Sequence, residues 1–259
     1  MPIAYCLLPT AFFSLHLNPN MEIKKLSIII PVFNEDTTVY EILKAVSNTK
    51  LISGIEKEII VVNDCSVDES ESKILSFIAD FPAEKIKYIR HEINHGKGAA
   101  VRNGFEHVTG DFAIIQDADL ELDPNDMNSL LHEAIINNAA VVYGSRFLQK
   151  GKADSQLQQH YFANVFLTRL SNLFSGLKIT DMATCYKLIR SNLLNQFTIC
   201  ENRFGLEPEI TAKLAKIKGI KIIEAPITYQ ARTKSEGKKI GWKDGFRYIY
   251  CIVRYNLFK

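Results

Sequence analysis

The sequence predicts an α/β fold, a mostly parallel sheet flanked by helices in a single domain. Three observations lead there. Short β-branched runs recur between helix-like stretches from Leu26 onward, the pattern of strands buried on both faces by crossover helices. Each run ends abruptly in polar residues, and parallel strands bring such ends to one rim of the sheet. No run of eighteen or more apolar residues interrupts the alternation, so the chain does not cross a membrane by itself.

In chain order, SIIIP (Ser27–Pro31) reads as the first strand and Asp36 to Ser47 as a polar amphipathic helix. EIIVVND is the second strand and KIKYIRH the third; GKGAAVRNGFEHV is helix-like. FAIIQDAD and AAVVYGSR are further strands. Leu157 to Gly176 is a candidate amphipathic helix, with Phe162, Phe166, Leu170 and Leu173 at helical spacing. GLEPE starts a helix, with Pro208 in its first turn, and KIIEAPITY is a last strand. WKDGFRYIYCIVRYNLFK mixes Trp242, Phe246, Tyr250, Val253 and Phe258 with Lys243, Arg247, Arg254 and Lys259. This is an amphipathic helix that suits either an anionic membrane surface or the flank of the domain.

Residues 1–22 are expected to lie outside the fold, poorly ordered, before a globular unit at 23–240 and the terminal helix at 241–259. MPIAYCLLPTAFFSLHLNPN contains prolines and lacks a basic n-region, so it makes no convincing signal peptide. Met21 has the look of a start. The formal net charge of +2 over 259 residues argues against a dedicated nucleic-acid partner. Cys6, Cys65, Cys185, Cys200 and Cys251 are odd in number and without a CxxC pair. They are expected as reduced thiols of a cytosolic protein.

The chemistry concentrates at strand ends. Asp117 and Asp119 follow the run FAIIQ, with Glu121 just beyond. Acidic residues after a strand often form turns or caps, but a hard divalent cation gives buried carboxylates a purpose. Mg²⁺ takes one or two of them and completes its shell with phosphate and water. A calcium loop fails by position, since the sixth residue from Asp117 is Leu122 and the twelfth Asn128. Asp64 directly follows IIVVN, in reach of a ligand, whereas Asp68 also suits a helix cap. HGKGAAVRNG sets two glycines around Lys97 at a helix start, a shape suited to phosphate or sugar hydroxyls or to simple capping. It is neither a Walker loop nor GxGxxG.

SIIIPVFNE, VVNDCSVD, HGKGAAVRNGF, DADLELDP, GSRF and ITDMATCYK, in this order, resemble the family-2 glycosyltransferases of the GT-A fold. Within them the likeness is to the dolichol-phosphate mannose synthase and polyprenyl-phosphate glycosyltransferase branch, over about Leu26 to Trp242. The resemblance implies a Rossmann-like GT-A domain with Pro31, Phe33, Glu35, Val62 and Asp64 around the nucleotide. It implies Asp117, Ala118, Asp119 and Glu121 at a Mg²⁺ or Mn²⁺ ion and the diphosphate. Arg146 matches a donor-site or acceptor-phosphate arginine, and Arg232 and Lys238 match basic groups on a loop over the phosphates. Asp119, Arg146 and Arg232 would then be the catalytic set.

The partners so implied are a nucleotide-sugar donor, a lipid-phosphate acceptor and a membrane-embedded subunit, with the chain peripheral at the cytosolic face of a membrane. The expected reaction moves a hexose, mannose from GDP-mannose or glucose from UDP-glucose, to a polyprenyl or dolichyl phosphate with inversion. A lipid phosphate, with a second pKa of about 6, needs no strong base. A hydroxyl acceptor in polysaccharide or glycolipid synthesis would need one, and Asp181, Glu207 and Glu209 are the candidates. A nucleotide-sugar-binding subunit without turnover is the rival outside enzymes. Gln158, Gln159 and His160 stand where this branch often carries basic residues, and many of its members carry C-terminal membrane helices beyond the point where this sequence stops, at Lys259.

Overall fold

The structure is a computed structural model that describes residues 22–148, 155–231 and 242–258, without the side chains of 155–160 and 242–244. Arg232 and Lys238, the side chains of Gln158, Gln159 and His160, and residues 1–21 of the extension expected at 1–22 lie outside the described residues.

Seven strands form one sheet in the order β3-β2-β1-β4-β6-β5-β7. They are β1 (Lys25–Val32), β2 (Glu56–Asn63), β3 (Ile86–Arg90), β4 (Phe112–Ile115), β5 (Val141–Ser145), β6 (Lys187–Arg190) and β7 (Ile222–Pro226). β1 pairs in parallel with β2 and β4, β2 with β3, and β5 with β7. The exception is β6, inserted antiparallel between β4 and β5. It comes from ITDMATCYKLIR, whose turn residues hide the short strand KLIR. Ile28, Ile29 and Ile30 are fully buried, each contributing about 1.5–3 kcal/mol by leaving water.

The helices are α1 (Val39–Asn48), α2 (Ser70–Asp80), α3 (Lys97–Phe105), α4 (Met127–Asn137), α5 (Ser155–Ser175), the single turn α6 (Ser191–Leu194), α7 (Leu206–Ala215) and α8 (Trp242–Leu257). α3 lies against β1 and β2, close enough that a Cβ at Gly104 would collide with the Ile29 side chain. α8 packs on α7 and α5. Of the apolar stripe on α5, Phe162, Phe166 and Leu173 are exposed and Leu170 is half-buried against the core, which the helix also meets through Leu167, Thr168 and Ser171. Helical spacing marks an apolar face without saying that it is the buried one.

The chain builds β1, β2 and β3 outward in one direction, then returns to place β4 on the other side of β1. Strand order reverses between β1 and β4, and at such a point the loops beyond the carboxyl ends diverge and open a crevice. The rim there is locally strained. Asn34, Cys65 and Leu120, past β1, β2 and β4, adopt φ of 52°, 60° and 59°, a region that costs a non-glycine residue about 1–2 kcal/mol.

Candidate active site at the sheet switch point

The loop after β4 is held from beneath. Tyr186 donates its hydroxyl to Gln116 Oε1 and stands 3.2 Å from the Asp123 carbonyl, while Gln116 Nε2 donates to the Asp117 carbonyl at 3.1 Å. Asp119 accepts the Glu121 amide at 3.2 Å across left-handed Leu120. Glu121 in turn accepts the Tyr229 hydroxyl at 3.0 Å, and its carbonyl accepts the Gln230 amide at 2.9 Å. Asp117, Asp119 and Glu121 thus sit on one tight loop, with Ala118 buried between the aspartates.

Asp117 meets Lys97, the first residue of α3, whose ammonium lies 2.7 and 2.8 Å from its two oxygens. Burial alone would lower the pKa of Lys97, but the charge of Asp117, with Cys185 and Glu207 behind it, outweighs burial and holds the ammonium protonated. Cys185 has its thiol pushed well up, by burial first and then by Asp117, so it stays neutral. The sequence placed Lys97 between two glycines at a helix start but gave it no partner. Its pairing with Asp117, twenty positions away, could have been suspected from a lone cation at a helix start facing the same rim.

Arg146, at the end of β5, makes a bidentate pair with Asp181, Nε to Oδ2 at 2.7 Å and Nη2 to Oδ1 at 2.8 Å. The Arg146 amide adds a third bond to Asp181 at 3.2 Å. The guanidinium lies 5.1 Å from the ring centre of Tyr229 and 5.7 Å from that of Phe147. Tyr229 therefore joins Arg146 to Glu121 and the aspartate loop. Burial and Glu121 both raise the pKa of Tyr229, so its hydroxyl remains a donor. Tyr229 was not marked by the sequence, and Asp181 was marked as a candidate base, not as the partner of Arg146.

On the other side of the switch point, Pro31, Phe33 and Glu35 are half-buried at the end of β1 and Val62 is buried in β2. Glu35 Oε2 accepts the Thr38 hydroxyl at 3.2 Å at the start of α1. Asp64, 2% exposed, accepts the amides of His95 at 2.9 Å and Gly96 at 2.6 Å and contacts His91 Nδ1 at 2.7 Å. Both its oxygens already anchor this turn, so a nucleotide reaching Asp64 shares it with the protein's own donors. Asp68, one residue before the N-cap of α2, accepts the Ser70 amide at 3.0 Å and the Asp36 amide at 3.3 Å.

The glycines around Lys97 do not cradle phosphate. The Gly98 and Ala99 amides donate to the Asn202 carbonyl at 2.8 and 3.3 Å. A Cβ at Gly98 would collide with the Glu201 carbonyl oxygen, and one at Gly96 with that of Asn202. These glycines admit a neighbouring backbone, and the helix start is already satisfied.

Of the candidate bases, Asp181 is fully buried and bound to Arg146. Glu209 accepts the Cys200 and Glu201 amides at 2.7 Å each and pairs with Lys213. Glu207 pairs through Oε2 with the wholly buried Lys187, but its Oε1 is buried without a hydrogen-bond partner.

A divalent cation fits the aspartate loop. No group of three or more His, Cys, Asp or Glu side chains forms a ready cage among the described residues. The donors are two carboxylates on one turn, the sparse oxygen set that Mg²⁺ or Mn²⁺ accepts when phosphates complete the shell.

Known proteins are similar to this chain in sequence and in fold. The chain is 29% identical over 233 residues to a dolichol-phosphate mannosyltransferase from Pyrococcus furiosus, covering 89% of this chain and 63% of the relative. It is 28% identical over 216 residues to an undecaprenyl-phosphate 4-deoxy-4-formamido-L-arabinose transferase from Enterobacter sp., covering 83% and 63%. The chain thus spans 63% of the length of each of these curated relatives. In fold it is similar to glucosyl-3-phosphoglycerate synthase from Mycobacterium tuberculosis, crystallised with Mn²⁺, UDP and phosphoglyceric acid. That match has a TM-score of 0.68 at 15% identity and covers 91% of this chain and 80% of that one. The model of glycosyl transferase family 2 matches residues 27–198, from β1 through both aspartates and Arg146 to the segment before α7, and the chain belongs to that family.

Proposed function

We propose that the protein is a metal-dependent, inverting glycosyltransferase that moves a hexose from a nucleotide sugar to a polyprenyl phosphate at the cytosolic face of a membrane. The observation that supports this most is the joining of two phosphate-handling groups at the switch point. Asp117 and Asp119 lie on a loop tied through Glu121 and Tyr229 to Arg146. The names of the relatives, dolichol-phosphate mannosyltransferase and undecaprenyl-phosphate transferase, favour a polyprenyl-phosphate acceptor, with GDP-mannose the first donor to try and UDP-glucose the second.

In this reaction a phosphate oxygen of the acceptor attacks the anomeric carbon, and the bond from that carbon to the diphosphate breaks with its electron pair leaving on the nucleotide. No proton needs to be removed. A divalent cation at Asp119 would supply Lewis-acid neutralisation of the departing diphosphate. Asp181 holds the Nε–Nη2 edge of Arg146, leaving the Nη1–Nη2 edge of the planar guanidinium to take phosphate, and Lys97 keeps Asp117 neutralised until the donor arrives. Pro31, Phe33, Glu35, Val62 and Asp64 are proposed to border the nucleotide, and Arg232 and Lys238 to close over its phosphates. Preorganised charge and positioning then account for most of the acceleration.

No helix among the described residues is long and apolar enough to cross a membrane. α8 exposes Phe246, Tyr250 and Leu257, with exposed Phe258 just beyond it and Arg247 and Arg254 alongside, a composition suited to an anionic interface. A membrane-embedded partner subunit is proposed on the same grounds.

A second reading follows from Glu207. Its unpartnered Oε1 is the free acceptor that a hydroxyl substrate would require of a base. Incubation with labelled GDP-mannose or UDP-glucose, and either undecaprenyl phosphate or sugar acceptors, separates the two. Transfer to the lipid phosphate is expected; transfer to hydroxyls alone would sink the proposal.

A further inference from the structure

The loop at 199–202 touches three helices and has no part in the reaction described above. From α7, Glu209 accepts the backbone amides of Cys200 and Glu201 at 2.7 Å each. From α8, Arg247 grips the Glu201 carboxylate through Nε at 3.0 Å and Nη2 at 2.7 Å, and the Tyr255 hydroxyl adds a bond at 2.9 Å. Toward α3, the Asn202 carbonyl accepts the Gly98 and Ala99 amides, and Arg102 donates to the Ile199 carbonyl at 3.0 Å and to Asn202 Oδ1 at 3.2 Å. The glycines at 96 and 98 leave no room between α3 and this loop. Lys97 stands between those glycines, with its ammonium on Asp117.

We propose that residues 199–202 form a clamp through which α8 positions Lys97 against Asp117, so that the C-terminal helix is a working part of the diphosphate site. Glu201 is a positioning residue in this arrangement and touches no substrate. The reason is mechanical. A closely packed contact between backbone and backbone has little compliance, so a shift of Glu201 must move the start of α3. Arg247 and Tyr255 fix Glu201 from outside; Arg247 is the member that can be removed with least disturbance, because its side chain is 53% exposed. The ligand side of the inference rests on the proposed nucleotide-sugar reading.

The test compares Arg247→Ala, and the milder Tyr255→Phe, in the wild-type and Lys97→Met backgrounds. GDP and UDP are titrated with Mn²⁺ present by calorimetry, and amide hydrogen exchange is followed over residues 97–105. Arg247→Ala is expected to weaken nucleotide binding about fivefold, within the range of coupling through packed contacts. In the Lys97→Met background it should change binding less than about twofold, because the group it acts through is gone. Exchange at Gly98 and Ala99 should rise in Arg247→Ala and, to a smaller extent, in Tyr255→Phe.

Equal losses of binding in both backgrounds, or unchanged exchange at the start of α3, would overturn the clamp. If Arg247→Ala does not fold, Tyr255→Phe decides by the same two readings. Failure of the wild type to bind either nucleotide would count against the proposed function, and the exchange measurement would still judge the clamp.

Discussion

Arg146 and Asp181 form a closed pair: the guanidinium presents Nε and Nη2 to the two carboxylate oxygens at 2.7 and 2.8 Å, with the arginine side chain 12% exposed and the aspartate fully buried. The arginine's reach is therefore set by a residue 35 positions away. Asp181→Ala leaves a buried cation uncompensated, a change that costs about 3–5 kcal/mol. The urea midpoint should fall accordingly. Arg146→Lys keeps the charge but loses the fork, so it should fold near normally and lose transfer activity, as read in a kcat/KM comparison.

A second buried pair gives a cleaner stability test. Lys187 pairs with Glu207 in the interior, with the Met182 carbonyl at 3.1 Å and the Tyr143 ring centre at 5.0 Å from its ammonium. Lys187→Met strands the Glu207 carboxylate and is expected to cost about 3–5 kcal/mol, whereas Lys187→Met with Glu207→Gln should recover part of that loss. Denaturant unfolding of the two variants checks the order, and a double variant no more stable than the single would contradict it.

The far end of the sheet gives a pH prediction. Burial alone would raise the pKa of Glu58, but hydrogen bonds from Ser27 and Thr109 outweigh it and hold the carboxyl below its ordinary value. Thr109 donates both its amide, at 3.0 Å, and its hydroxyl, at 2.6 Å. A carboxyl depressed on folding stabilises the fold above its unfolded pKa, about 4.3, and loses that contribution as the pH falls through the folded value. Unfolding followed from about pH 6 down to about pH 3 should therefore show a shallower decline in Glu58→Gln than in the wild type.

Strand ends were the readable part of this chain because the change from β-branched to polar residues is local. PVFNE, VVND, DAD and GSR each announce where a strand stops, and the parallel sheet collects them on one rim without further information. GKG was ambiguous for a physical reason. A glycine that lets phosphate approach and one that lets a neighbouring backbone approach look the same, and the neighbour here is about a hundred residues away, at Asn202. Asp181 was legible as an acid but not as the holder of Arg146, since its neighbours in sequence equally suit a turn. The short antiparallel β6 and the mostly outward stripe of α5 depend on tertiary packing, which periodicity does not encode.

The aspartate loop as a diphosphate and metal clamp is the centre of the account. Its most direct test is transfer of labelled mannose from GDP-mannose, and in parallel of glucose from UDP-glucose, to undecaprenyl phosphate, with Mn²⁺ or with chelator, by the wild type and by Asp119→Ala. We predict lipid-linked product from the wild type with metal, none with chelator, and a loss of at least about a hundredfold in Asp119→Ala, as for removal of one preorganised electrostatic contact to the leaving charge. Undiminished transfer by Asp119→Ala, or equal transfer with chelator present, would contradict it.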